Sequence, residues 1–136
     1  MHVNTSKFLA VMITSLIVTG CVYPVKKQSD ALIGSWKIID IKGQLVDTQK
    51  ADLTFFFDGK VSGNNGCNNI AASYSPYGDH LNLTEFSSTK MMCTGEEADA
   101  ANAFMKNIQF VEHFLIDGNQ LYLTDKQDKA VISLMK

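Results

Sequence analysis

The chain has 136 residues, of which 46% are hydrophobic and 19% are charged, and its formal net charge is −2. This length suits one domain, and the composition is that of a globular protein rather than a disordered one. All 12 basic residues are lysines. The negative charge and the absence of arginine argue against a nucleic-acid partner, because phosphates are neutralised by clustered basic side chains.

The first twenty residues have the pattern of an export signal. Lys7 precedes a mainly apolar run from Phe8 to Val18. This run is shorter than the roughly 20 residues that a membrane span needs, and it suits the apolar region of a signal peptide. The run ends in Val18-Thr19-Gly20-Cys21.

That ending resembles the bacterial lipobox, which implies cleavage before Cys21, a diacylglyceryl thioether on its sulfur and an acylated amino group. The lipid would anchor the chain in a membrane. The alternative is an ordinary signal peptide that is followed by an unrelated cysteine. We therefore divide the chain into a signal peptide (1–20), a lipidated tether (21–30) and a domain (31–136). Residues 22–30 are polar and lack periodicity, as expected of an irregular tether.

Two cysteines remain beyond Cys21, namely Cys67 and Cys93. In an exported protein, an even pair suggests a disulfide. Two free buried thiols are an alternative. Zinc binding with His80 and His113 is another, although no zinc-site spacing is present.

The domain pattern is that of an α+β protein. Alternating apolar residues predict seven to eight short strands joined by polar turns, which favours antiparallel pairing. In one of them Leu53, Phe55 and Phe57 are expected to share a face, followed by a two-residue turn at Asp58-Gly59. The predicted strands are 36–42, 53–57, 60–62, 70–74, 80–83, 110–116, 120–124 and 130–135.

One helix is predicted after Cys93. Thr94 and Glu97 form a capping-box pattern at its start, and the helix is expected to end near Gln109. Apolar residues recur at spacings of three and four along it, at Ala98, Ala101, Phe104, Met105 and Ile108. We expect a mostly antiparallel sheet or partly closed barrel with this one helix packed against it.

A Gly/Asn-rich stretch follows the third predicted strand, and glycine and asparagine enter positive-φ backbone at the least cost. It predicts a constrained loop over residues 62–69, not the centre of a strand. The asparagine amides are expected to satisfy local backbone groups, with ligand or partner binding as the alternative. The candidate residues are Ser62, Gly63, Asn64, Asn65, Gly66 and Asn68.

No catalytic motif is recognisable. The sequence has no G-x-S-x-G nucleophile elbow, no H-E-x-x-H zinc motif and no phosphate loop. The acidic residues select no catalytic pair, so we expect no enzyme activity, cofactor or metal. Met91 and Met92 are expected to pack in the core beside the disulfide, with an exposed adaptable patch as the alternative.

Several motifs together resemble the META domain of HslJ-type heat-shock lipoproteins. They are Gly34-x-Trp36, Leu53-Thr54-Phe55, the S-G-x-x-G-C-N segment from Ser62 to Asn68, Thr89-x-Met91-x-Cys93 and Leu121-x-Leu123. The resemblance covers residues 31–136. It implies a small antiparallel β structure with one packed helix and a link to heat-shock response and novobiocin resistance, without a catalytic mechanism.

The expected function is that of a monomeric, lipid-anchored envelope protein that supports stress tolerance through a structural or binding role. Val22 after the lipidated cysteine favours the outer membrane, facing the periplasm. One alternative is a small-ligand carrier that uses the barrel mouth. The other is a partner-binding or inhibitor module that uses the loop at residues 62–69.

Overall fold

The computed structural model describes residues 25–47 and 49–136. The predicted signal peptide and Cys21 lie outside the described residues. Two helices are described, α1 (Val25–Leu32) and α2 (Glu96–Ile108). The strands are β1 (Gly34–Ile41), β2 (Gln44–Leu45), β3 (Ala51–Phe55), β4 (Lys60–Asn65), β5 (Asn69–Tyr77), β6 (His80–Ser88), β7 (His113–Asp117), β8 (Gln120–Thr124) and β9 (Ala130–Met135).

The strands form one antiparallel sheet in the order β2-β1-β3-β4-β5-β6-β7-β8-β9, and a further pairing of β1 with β9 closes it into a ring. Strand β1 pairs with β3 over Gly34–Lys37 and with β9 over Lys37–Ile41, and the β1–β9 pairing has a register shift between Ile38 and Asp40. Strands β6 and β7 meet in the described register only at His80 and His113. The predicted α+β class, a largely antiparallel barrel with one main helix, is confirmed.

The barrel interior and the inner face of α2 form the hydrophobic core. Trp36, Phe55, Phe104 and Phe114 are all at most 1% exposed. Helix α2 packs against β1, β4 and β9, and it directs Phe104 and Ile108 into the core. Burial of such aromatic side chains contributes much of the folding free energy of a small domain.

The start of α2 differs from the predicted capping box. Gly95 is the N-cap residue with φ 63°, and no side chain donates or accepts a capping hydrogen bond there. The positive φ of Gly95 turns the chain before the helix begins, so Thr94 lies outside it and does not cap it. The predicted helical stripe is also wrong at Met105, which is 39% exposed, whereas the predicted helix end near Gln109 is confirmed.

Strand β3 begins and ends two residues earlier than the predicted strand 53–57. It ends at Phe55, and the Phe57 side chain is 91% exposed. The Phe56 N–H donates to the Lys60 carbonyl at 2.8 Å and the Gly59 N–H donates to the Phe56 carbonyl at 3.2 Å. The turn therefore occupies Phe56 to Gly59, and Phe57 lies at its tip instead of on the buried face.

Residues 25–30, predicted as an irregular tether, are helical. Helix α1 ends at Leu32, whose side chain is fully buried and whose carbonyl accepts a 2.8 Å hydrogen bond from the Trp36 indole N–H. Long-range packing of Leu32 thus stabilises a helix that its polar sequence does not predict. None of the helices within the described ranges is both long and apolar enough to span a bilayer.

The strand directions define two ends of the barrel. Gly34 lies opposite Phe55, so the end of α1 and the Phe56–Gly59 turn are at one end, which we call the α1 end. The turns after β5 and β7 lie at this same end because neighbouring strands are antiparallel. Gly66, where an added Cβ would lie 3.2 Å from the Ala100 Cβ, is at the opposite end, which we call the α2 end.

Candidate functional site

The Gly/Asn-rich stretch forms the end of one strand and a tight turn. Ser62 lies in β4, as the predicted strand 60–62 has it. The predicted loop is wrong for residues 63–65, which continue β4, and for Asn69, which begins β5, so only Gly66–Asn68 form the turn. Gly63 is suited to its strand because a Cβ there would lie 1.9 Å from the Asp52 carbonyl oxygen. The close approach of β3 to β4 explains why a glycine in this cluster is compatible with a strand.

The predicted disulfide is present in the structure. Cys67 and Cys93 are bonded, with their Cα atoms 6.1 Å apart at a sequence separation of 26. The bond joins the turn at residues 66–68 to the segment that leads into α2. We call this turn, the disulfide and the segment 89–93 the latch.

Asn65 organises the turn from inside the barrel. Its side chain is fully buried, and its Oδ1 accepts hydrogen bonds from the Cys67 N–H at 3.2 Å and the Asn68 N–H at 2.8 Å. Its Nδ2 is buried without a hydrogen-bond partner. Each buried polar group requires a hydrogen-bond partner. Asn65 provides the acceptor for two backbone N–H groups, but its own amide donor has no partner.

Asn68 and Asn64 complete the polar contacts of the latch. The Asn68 Oδ1 accepts from the Met91 N–H at 2.7 Å and from the Thr89 hydroxyl at 3.2 Å. The Asn64 Oδ1 accepts from the Gly66 N–H at 2.8 Å. The expectation that these amides satisfy local groups is confirmed, and their acceptor oxygens are engaged within the latch.

The segment after β6 instead exposes apolar side chains. Met91 is 59% exposed and Met92 is fully exposed, so the predicted core packing of this pair is wrong. Phe86 near the end of β6 is 36% exposed and contacts the Phe104 ring at a centroid distance of 6.3 Å. The disulfide and the Asn68 hydrogen bonds fix the backbone beneath the two methionines, which leaves their side chains in solvent.

The apolar crevice in the core is too small to hold a small-molecule ligand. The apolar crevice between β3, β4, β5, β6 and α2 has a free volume of about 10 Å³, which is about the space of one water molecule. Pockets for small molecules measure about 300–1,000 Å³. This crevice therefore gives no support to the alternative of a small-ligand carrier that uses the barrel mouth.

A polar crevice opens at the α2 end, and sequence reasoning missed it. It has a volume of about 340 Å³ and lies between the β2–β3 connection and the start of α2. Glu97 accepts a hydrogen bond from the Lys50 ammonium group, and this contact raises the pKa of Lys50. The crevice brings together residues 47 apart in sequence, so no local pattern could have indicated it.

His80 and His113, the residues of the zinc alternative, do meet across the seam between β6 and β7. Their ring centroids are 4.3 Å apart. Within the described residues, however, no group of three or more His, Cys, Asp or Glu side chains could hold a metal ion. The pair therefore packs ring against ring without the ligand set of a structural zinc site.

The predicted site residues thus fall into three groups. Cys21 lies outside the described residues. Cys67 and Cys93 meet in the disulfide, and the loop residues contribute to the latch or to strand β4. Sequence reasoning missed the exposed apolar segment 86–92 as a unit; the Met91-Met92 pair was its only signal.

Comparison with known proteins identifies the family. The family model of the META domain matches residues 30–136, which is most of the chain. The chain therefore belongs to the META domain family. No curated protein sequence matches it.

Solved structures share the fold at low sequence identity. A protein from Burkholderia xenovorans, solved by NMR, is similar with a TM-score of 0.64 and 15% identity over 99% of this chain and 96% of that one. Another NMR structure has a TM-score of 0.62 at 16% identity and covers 83% and 94% of the two chains. A DUF4847 family protein from Bacteroides vulgatus has a TM-score of 0.56 at 16% identity, covering 75% and 91%.

Proposed function

We propose that this protein is anchored by a lipid on Cys21 to the outer membrane, facing the periplasm, and supports stress tolerance there without catalysing a reaction. The anchor rests on the order of the apolar run, the small residues and Cys21. Val22 after the cysteine favours the outer membrane. The role in heat and antibiotic stress rests on the resemblance to HslJ-type lipoproteins.

The observation that carries the proposed binding role is the exposure of Met91 and Met92, which contrasts with a core crevice too small for a ligand. The crevice in the core holds about 10 Å³, whereas Met91 and Met92 are exposed on a backbone that the latch holds in place. Flexible methionine side chains at a rigid position suit binding to an apolar protein surface. The segment 86–92 thus replaces the asparagine amides of residues 62–69 as the favoured binding surface.

Intact-mass spectrometry of the membrane-extracted protein tests the anchor. We expect a chain that begins at Cys21 and carries the mass of a diacylglyceryl group and an additional acyl chain. A Cys21→Ser variant should lack this added mass. A wild-type chain without any lipid mass would contradict the proposed anchor.

Complementation tests the role of the exposed methionines. A strain that lacks the gene would be supplied with wild type, the double variant Met91→Gln/Met92→Gln, or the control Met105→Gln, which alters a less exposed methionine on α2. We expect wild type and the control to restore survival after heat and novobiocin treatment, and the double variant to fail at equal abundance. Equal rescue by all three chains would contradict a role for the segment 86–92.

A further inference from the structure

Two hairpin tips at the α1 end carry exposed aromatic side chains. Phe57, at the tip between β3 and β4, is 91% exposed, and its neighbour Phe56 is 44% exposed. Tyr77, at the end of β5, is 83% exposed. Exposed aromatic rings of this kind are energetically unfavourable in water, and they are enriched where proteins meet the membrane–water interface.

The turn does not require the side chain of Phe56 or of Phe57. The backbone of Phe56 and Gly59 closes the turn, and the Asp58 carboxylate accepts the Lys60 N–H at 3.2 Å. The Phe56 carbonyl also accepts a 2.7 Å hydrogen bond from the Tyr74 hydroxyl. Since these contacts involve no phenylalanine ring, the Phe57 ring is free to contact another surface, and the exposed part of Phe56 lies beside it.

The chain enters the described domain at this same end. Gln28 of α1 lines a crevice together with Asp79 and Leu115, and Asp79 lies two residues after Tyr77 in the β5–β6 turn. The start of α1 at Val25 is four residues from Cys21. Even a fully extended chain of four residues spans only about 14 Å.

We propose that Phe56, Phe57 and Tyr77 contact the phospholipid interface, so that the α1 end of the barrel faces the bilayer. The proposal rests on the lipid anchor proposed above, because the short connection to Cys21 keeps this end near the membrane. Charges of both signs flank the aromatic residues, namely Asp58, Asp79 and Lys60, so the contact we propose is with zwitterionic phospholipids. The α2 end, with the segment 86–92, then faces the aqueous periplasm.

Quenching of tryptophan fluorescence tests this orientation. The anchored protein would be reconstituted into phosphatidylcholine vesicles with or without brominated acyl chains, as the variants Phe57→Trp, Tyr77→Trp and Leu45→Trp. Leu45 is the matched control, because it is 85% exposed on β2 at the α2 end. Wild type, with Trp36 buried in the core, measures the background.

We expect bromine to quench Phe57→Trp at least about twofold more than Leu45→Trp, since an interfacial side chain lies about 5–10 Å into the headgroup–acyl boundary. A similar excess is expected for Tyr77→Trp, and the excess should persist at high salt. Equal quenching at the two ends would overturn the proposal. A blue shift of Phe57→Trp without vesicles that grows with protein concentration would also overturn it, because a second copy would then cover the tip.

A second form of the experiment distinguishes a failure of the proposed orientation from a failure of the proposed anchor. If mass spectrometry shows no lipid on the native chain, the chain from Cys21 onward would be coupled through the Cys21 thiol to a maleimide lipid in the same vesicles. All described contacts lie within residues 25–136, so this chain retains them. Preferential quenching at Phe57 then supports the orientation although the native anchor has failed, and equal quenching overturns it.

Discussion

Different contacts hold the turns at the α2 end and at the α1 end of the barrel. At the α2 end, the latch uses a disulfide and asparagine side chains that reach across from one segment to another. At the α1 end, the turn that carries Phe57 is closed mainly by its own backbone and by Asp58. The asparagine side chains of the latch are therefore occupied by contacts within the protein, whereas the Phe57 ring at the α1 end is exposed and free to contact a partner.

Among the contacts that distinguish the two ends, the disulfide has the largest expected effect. Replacement of Cys67 and Cys93 by alanine should lower the free energy of unfolding by about 3–4 kcal/mol, because the bond restricts a sequence separation of 26 in the unfolded chain. Urea denaturation of the double variant and wild type measures this change. Wild type treated with a reductant is the control. A loss below about 1 kcal/mol would contradict a stabilising role, since native disulfides in small domains typically contribute about 2–5 kcal/mol.

Gly63→Ala should have the next largest effect. The new Cβ would lie 1.9 Å from the Asp52 carbonyl oxygen, so β3 and β4 must separate at a cost of about 1–3 kcal/mol. Gly118→Ala is the control, because its Cβ meets no atom within 4 Å and only its φ of +59° opposes alanine. Thermal unfolding should show a larger loss for Gly63→Ala, and the reverse order would argue against the close strand approach.

Asn65→Ala should destabilise the latch by about 1–2 kcal/mol, because the Cys67 and Asn68 N–H groups lose their acceptor. Asn102→Ala alters an exposed position on α2 and should change stability by less than about 0.5 kcal/mol. Urea midpoints compare the two variants. Equal midpoints would show that the buried, unsatisfied Nδ2 of Asn65 offsets the value of its acceptor oxygen.

A smaller effect is expected from the turn between β8 and β9. Backbone donation from the Gln127 N–H lowers the pKa of Asp125 below its ordinary value of 3.8, and Lys129 adds to this. Because the pKa is lower in the folded protein, the stabilisation is present above the ordinary value and is lost as the pH falls through the lowered value. An NMR titration of the Asp125 carboxyl should show this, and Asp125→Asn should remove that acid-dependent part of the unfolding curve.

The smallest effect on stability is expected at the α1 end. Phe57→Ser changes a side chain that is 91% exposed, so the free energy of unfolding should change by less than about 0.5 kcal/mol. Phe55→Ala, two residues earlier and 1% exposed, should cost about 3–5 kcal/mol. Thermal unfolding of the pair measures the difference. A large loss in Phe57→Ser would mean that the tip packs within the protein and is not free for a membrane contact.

Much of the fold could be predicted because its signals are local. Alternation in β3, β5 and β8 and the three-to-four spacing in α2 are properties of short segments, and such periods report directly which face is apolar. The two cysteines that follow the predicted export signal were enough to predict the disulfide. The residues of the candidate site were predicted, but their secondary structure was not. Ser62–Asn65 extend a strand, and the partner of that strand lies elsewhere in the chain.

The sequence by itself determined the α+β class, the position of the main helix and the pairing of Cys67 with Cys93, because periodicity and cysteine count are read without knowing the neighbours. The tertiary structure alone decided that Phe57, Met91 and Met92 are exposed, that Asn65 is buried and that residues 25–32 are helical. The physical reason is that burial depends on which distant segments cover a side chain. Residues 62–69 are covered by β3, the segment 89–93 and α2. None of these adjoins residues 62–69 in sequence.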